Sequence, residues 1–372
     1  MIELAGYKVA DPESLETPVM LVYEERVDHN IRALCELVGG ASNLMPHVKT
    51  HKAEAVARKQ AEAGVVGFKC ATLSELEMAL DAGSTEVILA YPMTQRIKAE
   101  RFADLAIDHG DALVVAIVSR LEHVDLLGDV AEQRGVSLQV MVDLDVGMHR
   151  TGVALGGAAV ELYRQVAQHP HLQARGLHIY DGHDHYVDPA QREQVAQGHI
   201  DDVRALVQQL GDEGLAVERL VGGGSFSFAY YARAEGFCGS PGTCIYWDTG
   251  YGDAMPDMPF KWAALVLGQV VDVHADAQGQ TITTDLGHKA ICGDIPLEKR
   301  ARLLNDTSAE LIAQNEEHGV FRWQGELPAI GTYVLAVPGH VCPTTMRYPG
   351  SYVLDVEGQV VDYYPHTARD RQ

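Results

Sequence analysis

The chain lacks the features that would assign it to a membrane or nucleic-acid-binding class. It has no apolar run of about 20 residues that could span a bilayer, and no charged-then-apolar segment at its N-terminus. Basic residues are scarce, 29 against 52 acidic ones, so the net charge is -23. Because phosphate backbones and anionic lipids are bound by basic surface, we expect a soluble, cytoplasmic protein without a nucleic-acid or membrane partner.

Cysteine is also sparse and shows no pairing pattern. Six cysteines are scattered along the chain, at Cys35, Cys70, Cys238, Cys244, Cys292 and Cys342. Such a distribution is typical of reduced thiols in a cytosolic enzyme.

The length and the pattern of the chain predict two domains. A chain of 372 residues with 47% hydrophobic content exceeds the roughly 250–300 residues at which single cores stop growing. Up to about Gly239, β-rich runs alternate with helical patterns, which is typical of β/α units around a parallel sheet. Eight strand candidates suggest a closed (β/α)8 barrel: Val19–Tyr23, Leu44–Lys49, Gly67–Ala71, Glu86–Tyr91, Ala112–Ser119, Leu138–Leu144, Ala174–Tyr180 and Arg219–Gly222.

The C-terminal part is predicted as a mostly antiparallel β domain, because helical patterns nearly vanish there. Its strand candidates are Leu265–Val273, Thr281–Asp285, Tyr333–Val337, Ser351–Asp355 and Val360–Tyr364. The predicted domains are an α/β barrel at 16–240 and a β domain at 241–372.

The run Met45-Pro46-His47-Val48-Lys49-Thr50-His51-Lys52 is the most informative stretch. An amine-bearing side chain at the end of a barrel strand, among imidazoles, suggests carbonyl chemistry. His47 and His51 could help to lower the pKa of the Lys49 amine. The alternative is a solvated loop of lysine and histidine.

Two glycine-rich turns, Gly222–Ser225 and Ser240–Thr243, suggest a phosphate site. Backbone N–H groups of such turns can point at an anion, and a hydroxyl adds a donor. The alternative is a pair of tight turns.

Two further patterns carry imidazoles. His340 and Cys342 would project to one face of a strand and could bind one cation there, with zinc favoured over magnesium and manganese also considered. The alternative is a buried cysteine beside a hydrogen-bonded histidine. His183 and His185 would share a face if the preceding strand continued, so that one of them could carry a proton near a substrate hydroxyl.

Four segments in register point to one family. They are Thr17–Tyr23 with the following Val27–Ile31, Pro46–Lys52, Asp145–Gly152 and Pro338–Thr344. Together they resemble the D-serine dehydratase and D-threonine aldolase family, pyridoxal 5'-phosphate enzymes with a barrel of alanine-racemase type. The resemblance covers almost the whole chain.

The resemblance implies a role for each candidate residue. Lys49 would hold the cofactor as an internal Schiff base, and His340 and Cys342 would hold a divalent metal. The remaining cofactor contacts would be Ser225, Gly242 and Thr243 at the phosphate, Arg150 near the phenolic oxygen and Tyr180 at the ring. The resemblance also implies that residues 1–15 join the β domain. It further implies a homodimer in which the partner's β domain covers the mouth of the barrel.

The chain departs from its relatives at two positions. Met45 stands where the family often has arginine, and Ser240 stands where the racemases have an arginine facing the pyridine nitrogen. A neutral hydroxyl cannot impose the same charge on the ring, which weakens the case for racemisation.

The activity implied is that of a lyase on a D-3-hydroxy amino acid. Dehydration of a D-serine-like substrate is favoured, because His-x-Cys is the dehydratase pattern, whereas D-threonine aldolases more often show His-x-Asp. Retro-aldol cleavage of D-threonine or 3-hydroxy-D-aspartate is the alternative. A non-catalytic carrier of the cofactor, or an amino-acid racemase, is the alternative of another class.

Overall fold

The computed structural model describes residues 1–277 and 279–371. The strands assigned in this part of the chain are β1 (Ile2–Leu4), β2 (Tyr7–Val9), β3 (Val19–Tyr23), β4 (Phe68–Cys70), β5 (Glu86–Leu89), β6 (Leu113–Val118), β7 (Leu138–Asp145), β8 (Val153–Ala154), β9 (Leu172–Ile179), β10 (Arg219–Gly222), β11 (Phe237–Gly239), β12 (Ala264–Asp276), β13 (Gly279–Thr284), β14 (Ala301–Leu303), β15 (Glu310–Gln314), β16 (Gly319–Trp323), β17 (Tyr333–Pro338), β18 (Gly350–Leu354) and β19 (Val360–Pro365).

The α-helices of the described residues are α1 (Glu24–Val38), α2 (Glu54–Glu62), α3 (Leu73–Asp81), α4 (Arg96–Asp108), α5 (Leu121–Arg134), α6 (Gly157–Gln168), α7 (Pro189–Asp212), α8 (Phe228–Arg233), α9 (Thr249–Ala254) and α10 (Val341–Thr345). None of these helices is both long enough and apolar enough to cross a membrane.

Two compact units make up the described chain. One is built from Met1–Ala33, Thr50–Ala53 and Thr243–Arg369, and the other mainly from Leu34–Lys49 and Glu54–Gly242. We call them the β unit and the barrel unit.

The barrel unit contains a parallel sheet with the strand order β11-β10-β9-β7-β6-β5-β4. The segment 44–47 pairs with both edge strands, through a bridge from Leu44 to Gly239 on one side and from His47 to Lys69 on the other. Seven strands and this segment therefore form the predicted ring of eight, and the predicted (β/α)8 barrel of alanine-racemase type is confirmed.

Local sequence explains why the elements of the barrel unit form. The interior strands are almost uninterrupted apolar runs, such as the Leu-Val-Val-Ala-Ile-Val of β6, as expected for strands buried on both faces. Helix α3 starts at an N-cap, Thr72, whose hydroxyl accepts from the Glu75 N–H at 3.1 Å. Apolar side chains from the strands fill the interior, and they include Met45, Ile88, Val115, Ile117, Met141, Val221 and Cys238.

The β unit is organised around a larger, mostly antiparallel sheet with the strand order β15-β16-β13-β12-β3-β18-β19. Strand β17 pairs antiparallel with both β12 and β14, and β3 pairs parallel with β18. Its core contains Leu21, Leu265, Leu267, Leu335, Val337 and Leu354. The predicted antiparallel β domain is confirmed, and strands β14, β15 and β16 are additions to the prediction.

Two strand predictions are wrong. Val19–Tyr23 does form a strand, but it pairs antiparallel with β12 and so belongs to the β unit rather than opening the barrel. Leu44–Lys49 makes only the two bridges and runs into a 3-10 helix at Val48–Thr50. Pro46 has no N–H to donate to a ladder, which is one reason why a regular strand does not form.

Candidate active site

Lys49 lies where the irregular barrel segment ends. It belongs to the short 3-10 helix Val48–Thr50, and its backbone N–H donates to Nδ1 of His47 at 3.2 Å. Its Nζ atom lies 5.8 Å from the centre of the Tyr180 ring. The predicted lysine and the predicted ring-contacting tyrosine are therefore neighbours.

Three cationic side chains surround the Tyr180 ring. Besides Lys49, the Nζ atom of Lys69 lies 5.4 Å and the Cζ atom of Arg150 lies 4.8 Å from the ring centre. Each of these positions is within the distance at which a cation is attracted to an aromatic face. The barrel unit thus gathers three basic side chains around one aromatic side chain.

Lys69 is a member of this group that sequence reasoning missed. It lies on β4 and is only 2% exposed. Burial, with the positive charges of Lys49 and Arg150, lowers its pKa to about 7, and the carboxylates of Asp181 and Asp143 partly oppose the shift. The available signal was a lysine between Phe68 and Cys70 in a short buried strand.

A buried histidine–aspartate pair lies beside this group. Nδ1 of His178 is 2.7 Å from Oδ1 of Asp143, and both side chains are buried. Burial lowers the pKa of His178, and the hydrogen bond to Asp143 opposes that shift. Nε2 of His178 and Oγ of Ser240 are buried and find no hydrogen-bond partner among the described residues. Buried polar atoms of this kind are usually satisfied by a ligand or by water.

Gly222 and Ser240, one from each glycine-rich segment, lie together in the barrel unit. The N–H of Ser240 donates to the carbonyl of Gly222 at 3.0 Å, and the N–H of His47 donates to the carbonyl of Pro241 at 2.7 Å. Gly223 has a φ of +84°, and a Cβ atom there would lie 2.9 Å from the Phe228 backbone. This turn therefore requires glycine. Ser225 is buried, and Gly242 lies next to Thr243 in the second segment. The role of Ser225 and Gly242 at a phosphate remains a prediction.

The imidazoles after β9 lie in a loop. The strand ends at Ile179, and the Asp184 N–H donates to the Asp181 carbonyl at 3.0 Å in a turn. The expected strand alternation of His183 and His185 is therefore wrong. The His185 ring packs on Phe226, with centres 5.0 Å apart.

His183 has different partners from His185. Its Nε2 lies 3.6 Å from Oδ1 of Asp184. The other oxygen of that carboxylate, Oδ2, is 2.9 Å from Nε2 of His199. The contact between Asp184 and His199 could not be predicted from the sequence, because the two residues are 15 positions apart and only the path of α7 places His199 beside the loop.

His340 and Cys342 lie in the β unit, but on a helix start instead of a strand. His340 is the N-cap of α10, which begins at Val341. The expectation that they share the face of a strand is wrong, yet their side chains hydrogen-bond to each other. Nδ1 of His340 is 2.6 Å from Oδ2 of Asp294. Burial opposes a charge on His340, but Cys342, Asp294 and the nearby Asp248 outweigh it and raise its pKa to about 9.

Two threonine hydroxyls also contact the thiol of Cys342. Oγ1 of Thr50 is 3.1 Å and Oγ1 of Thr243 is 3.5 Å from Sγ of Cys342. Thr243, expected at the phosphate, thus contacts the expected metal ligand. The fully buried Asp248 accepts from the N–H groups of Tyr251 and Val341, and burial raises its pKa to about 6 against these hydrogen bonds.

Several known proteins are similar to this chain over nearly its whole length. The 3-hydroxy-D-aspartate aldolase of Paracoccus denitrificans (strain Pd 1222) is 25% identical over 99% of this chain and 98% of its own. The crystal structure of D-threonine aldolase from Filomicrobium marinum is 29% identical, covers 95% of this chain and 96% of its own, and superposes with a TM-score of 0.87.

A dehydratase is similar as well. The D-threo-3-hydroxyaspartate dehydratase of Delftia sp. (strain HT23) is 23% identical over 93% of this chain and 96% of its own, and its structure gives a TM-score of 0.81. Structures of a D-threo-3-hydroxyaspartate dehydratase are also similar with a histidine replaced by alanine, and with the cysteine two positions further on replaced by alanine, the latter in a metal-free form.

Two family descriptions match the chain in succession. Residues 22–250 match the alanine racemase N-terminal domain, and residues 263–354 match the putative serine dehydratase domain. Since the first match spans well over half of the sequence, the chain belongs to the alanine racemase N-terminal domain family, and it carries a serine dehydratase-type domain behind it.

Proposed function

We propose that this chain is a pyridoxal-phosphate-dependent lyase that dehydrates a small D-3-hydroxy amino acid to a 2-keto acid and ammonia, in the manner of a D-serine dehydratase. The observation that carries the proposal is the group of Lys49, Lys69 and Arg150 around the Tyr180 ring. The similarity to aldolases and a dehydratase over nearly the whole chain supports the lyase class.

The residues present fit pyridoxal phosphate. Its phosphate and phenolic oxygen are anionic, which suits three cationic side chains, and its ring suits packing against Tyr180. The buried, unpartnered atoms of His178 and Ser240 offer polar contacts at a ligand's edge. Lys49 would bind the cofactor covalently, and the turns that carry Ser225, Gly242 and Thr243 would hold its phosphate.

When bound, pyridoxal phosphate supplies an electron sink for charge at the substrate's Cα atom. The chain's own residues then have three tasks. Lys49 would accept the proton of the substrate's Cα atom on its Nζ atom. Arg150 stabilises negative charge at the phenolic position. One imidazole of the loop after β9, on His183 or His185, carries a proton near the β-hydroxyl.

The donor set of His340 and Cys342 fits a zinc ion. The bond from Nδ1 of His340 to Asp294 fixes the imidazole and leaves its other nitrogen for a metal, a pattern typical of zinc ligands. Thiolate and imidazole favour zinc over magnesium, and manganese is the second choice. Bound there, the metal supplies a Lewis acid for the β-hydroxyl. The metal-free cysteine variant of a D-threo-3-hydroxyaspartate dehydratase supports this assignment.

Retro-aldol cleavage is the second candidate, because the similar proteins include aldolases of Paracoccus and Filomicrobium. We favour dehydration because the chain has cysteine at position 342 rather than the aspartate of the aldolase pattern. We also propose that the enzyme acts as a homodimer.

Borohydride reduction of the cofactor-loaded protein tests the role of Lys49. The cofactor should be fixed to Lys49 and recovered on the peptide that contains it, and a Lys49→Ala variant should lose turnover and the label together. Label on Lys69 or Lys52 in the native protein contradicts the assignment.

Product analysis tests the reaction. The protein should be assayed with D-serine, D-threonine and D-3-hydroxyaspartate, scoring keto acid against aldehyde. Keto acid with ammonia supports dehydration, aldehyde with glycine supports the aldolase, and neither product from any of the three contradicts a lyase of this substrate class.

A further inference from the structure

A second group of metal-ligating side chains lies in the barrel unit, apart from His340 and Cys342 in the sequence. One nitrogen of His183, one carboxylate oxygen of Asp184 and one nitrogen of His199 all lie within 4.8 Å of one another. The two oxygens of Asp184 are 3.6 Å from Nε2 of His183 and 2.9 Å from Nε2 of His199. These separations bracket the roughly 3.3 Å expected between ligand atoms around a tetrahedral zinc ion with bonds near 2.0–2.1 Å.

The three side chains are held by surrounding structure. The Asp184 N–H donates to the Asp181 carbonyl, and His199 lies in the interior of α7, whose N-cap is Asp188. His183 is exposed, and its Nε2 lies 3.0 Å from where a Cβ atom of residue 147 would be. A cation would therefore meet ligands that need little rearrangement, and less conformational entropy would be lost on binding.

The charge around the group also favours a cation. Asp181 is 3% exposed, and its Oδ1 accepts a hydrogen bond from the Ser227 hydroxyl at 2.8 Å. Two carboxylates thus share a partly buried region with two imidazoles, and a divalent cation would offset the repulsion between them.

We propose that His183, Asp184 and His199 form a second zinc site, with water completing a four-coordinate shell. Imidazole and carboxylate are ligands that zinc accepts, and three protein ligands leave one position open. The ion links the loop after β9 to helix α7. Because Tyr180 begins that loop, the ion fixes the aromatic side chain around which the three cations gather. His183 is then a metal ligand, which leaves His185 as the proton carrier.

Metal titration of a variant that lacks the first pair tests this site. The His340→Ala, Cys342→Ala protein is first freed of metal. Calorimetric titration with cobalt or zinc should then give a stoichiometry of one ion per chain. Bound cobalt should show visible bands without the thiolate charge-transfer band that Cys342 would produce. His199→Gln in the same background should weaken binding by more than the roughly 10–100-fold that loss of an outer hydrogen-bond partner costs. Zinc should also slow amide exchange in residues 180–188.

Two further variants make the result decisive. Asp184→Asn should weaken binding similarly, which guards against an effect of misfolding in His199→Gln. His274→Gln is the matched control, since His274 is exposed and contacts Asp272 at 3.6 Å, and it should leave binding unchanged. Absence of binding in the parent background, or an affinity in the His199→Gln and Asp184→Asn proteins that equals that of the parent background, would overturn the proposal. The readouts are binding and exchange, so they do not depend on the proposed reaction.

Discussion

Replacement of Lys69 by methionine should stabilise the protein when no cofactor is bound. Lys69 is 2% exposed and lies near two other cations, Lys49 and Arg150. Burial and this repulsion disfavour its charged form in the folded state, whereas the unfolded chain carries the charge freely. Methionine has a similar length and no charge, so it removes the penalty with little loss of packing.

The size of the effect follows from the pKa. The folded protein lowers the pKa of Lys69 from 10.5 to about 7, and each pKa unit corresponds to about 1.4 kcal/mol. The penalty therefore approaches roughly 5 kcal/mol below pH 7. Between pH 7 and 10.5 the unfolded chain binds more protons than the folded chain, so the stability of the native protein should rise with pH in this window. In the variant, this contribution to the rise should be absent.

Urea unfolding of both proteins from pH 6 to pH 9, prepared without cofactor, measures this difference. Lys98→Met is the matched control, because Lys98 is exposed and lies 5.5 Å from the ring of Tyr91, much as Lys69 lies near Tyr180. The control should change stability by less than about 0.5 kcal/mol. The reasoning is refuted if Lys69→Met is no more stable than the native protein, or if its advantage does not shrink as the pH rises.

Three further predictions follow from the β unit and the assembly. His366 is buried and hydrogen-bonded, and burial lowers its pKa to about 4 from 6.5. The unfolded chain therefore binds a proton at His366 more readily than the folded chain does, and the folded protein loses stability as the pH falls from 6.5 toward 4. In unfolding experiments over this pH range, the free energy of unfolding of the native protein should fall by roughly 3 kcal/mol more than that of His366→Gln. A chelator should stop turnover while leaving the cofactor absorbance nearly intact, and Cys342→Asp should shift metal preference toward harder cations; full activity in metal-free protein would contradict a role for the metal. Light scattering should give the mass of a dimer, and a fully active monomer would refute that assembly.

Apolar runs and motif order were sufficient to predict most of the architecture from the sequence. Buried parallel strands such as β6 are nearly continuous apolar runs, and they were located to within a residue or two. The strand Val19–Tyr23 was located as well, but its partner was not. A fully buried strand has the same composition whether its neighbour is parallel or antiparallel, and only its pairing with β12 placed it in the β unit.

The candidate site residues, like the strands, could be predicted only in part from the sequence. Short motifs were enough to single out Lys49 and the His340–Cys342 pair as candidates, and the family resemblance added Tyr180. The groups that surround these residues became known only from the folded chain. Lys69 reaches Tyr180 across more than a hundred residues, and Asp294 reaches His340 across 46. These contacts have no local signature, because the closure of the barrel and the pairing of strands create them, and the same closure removes Lys69 from water and lowers its pKa.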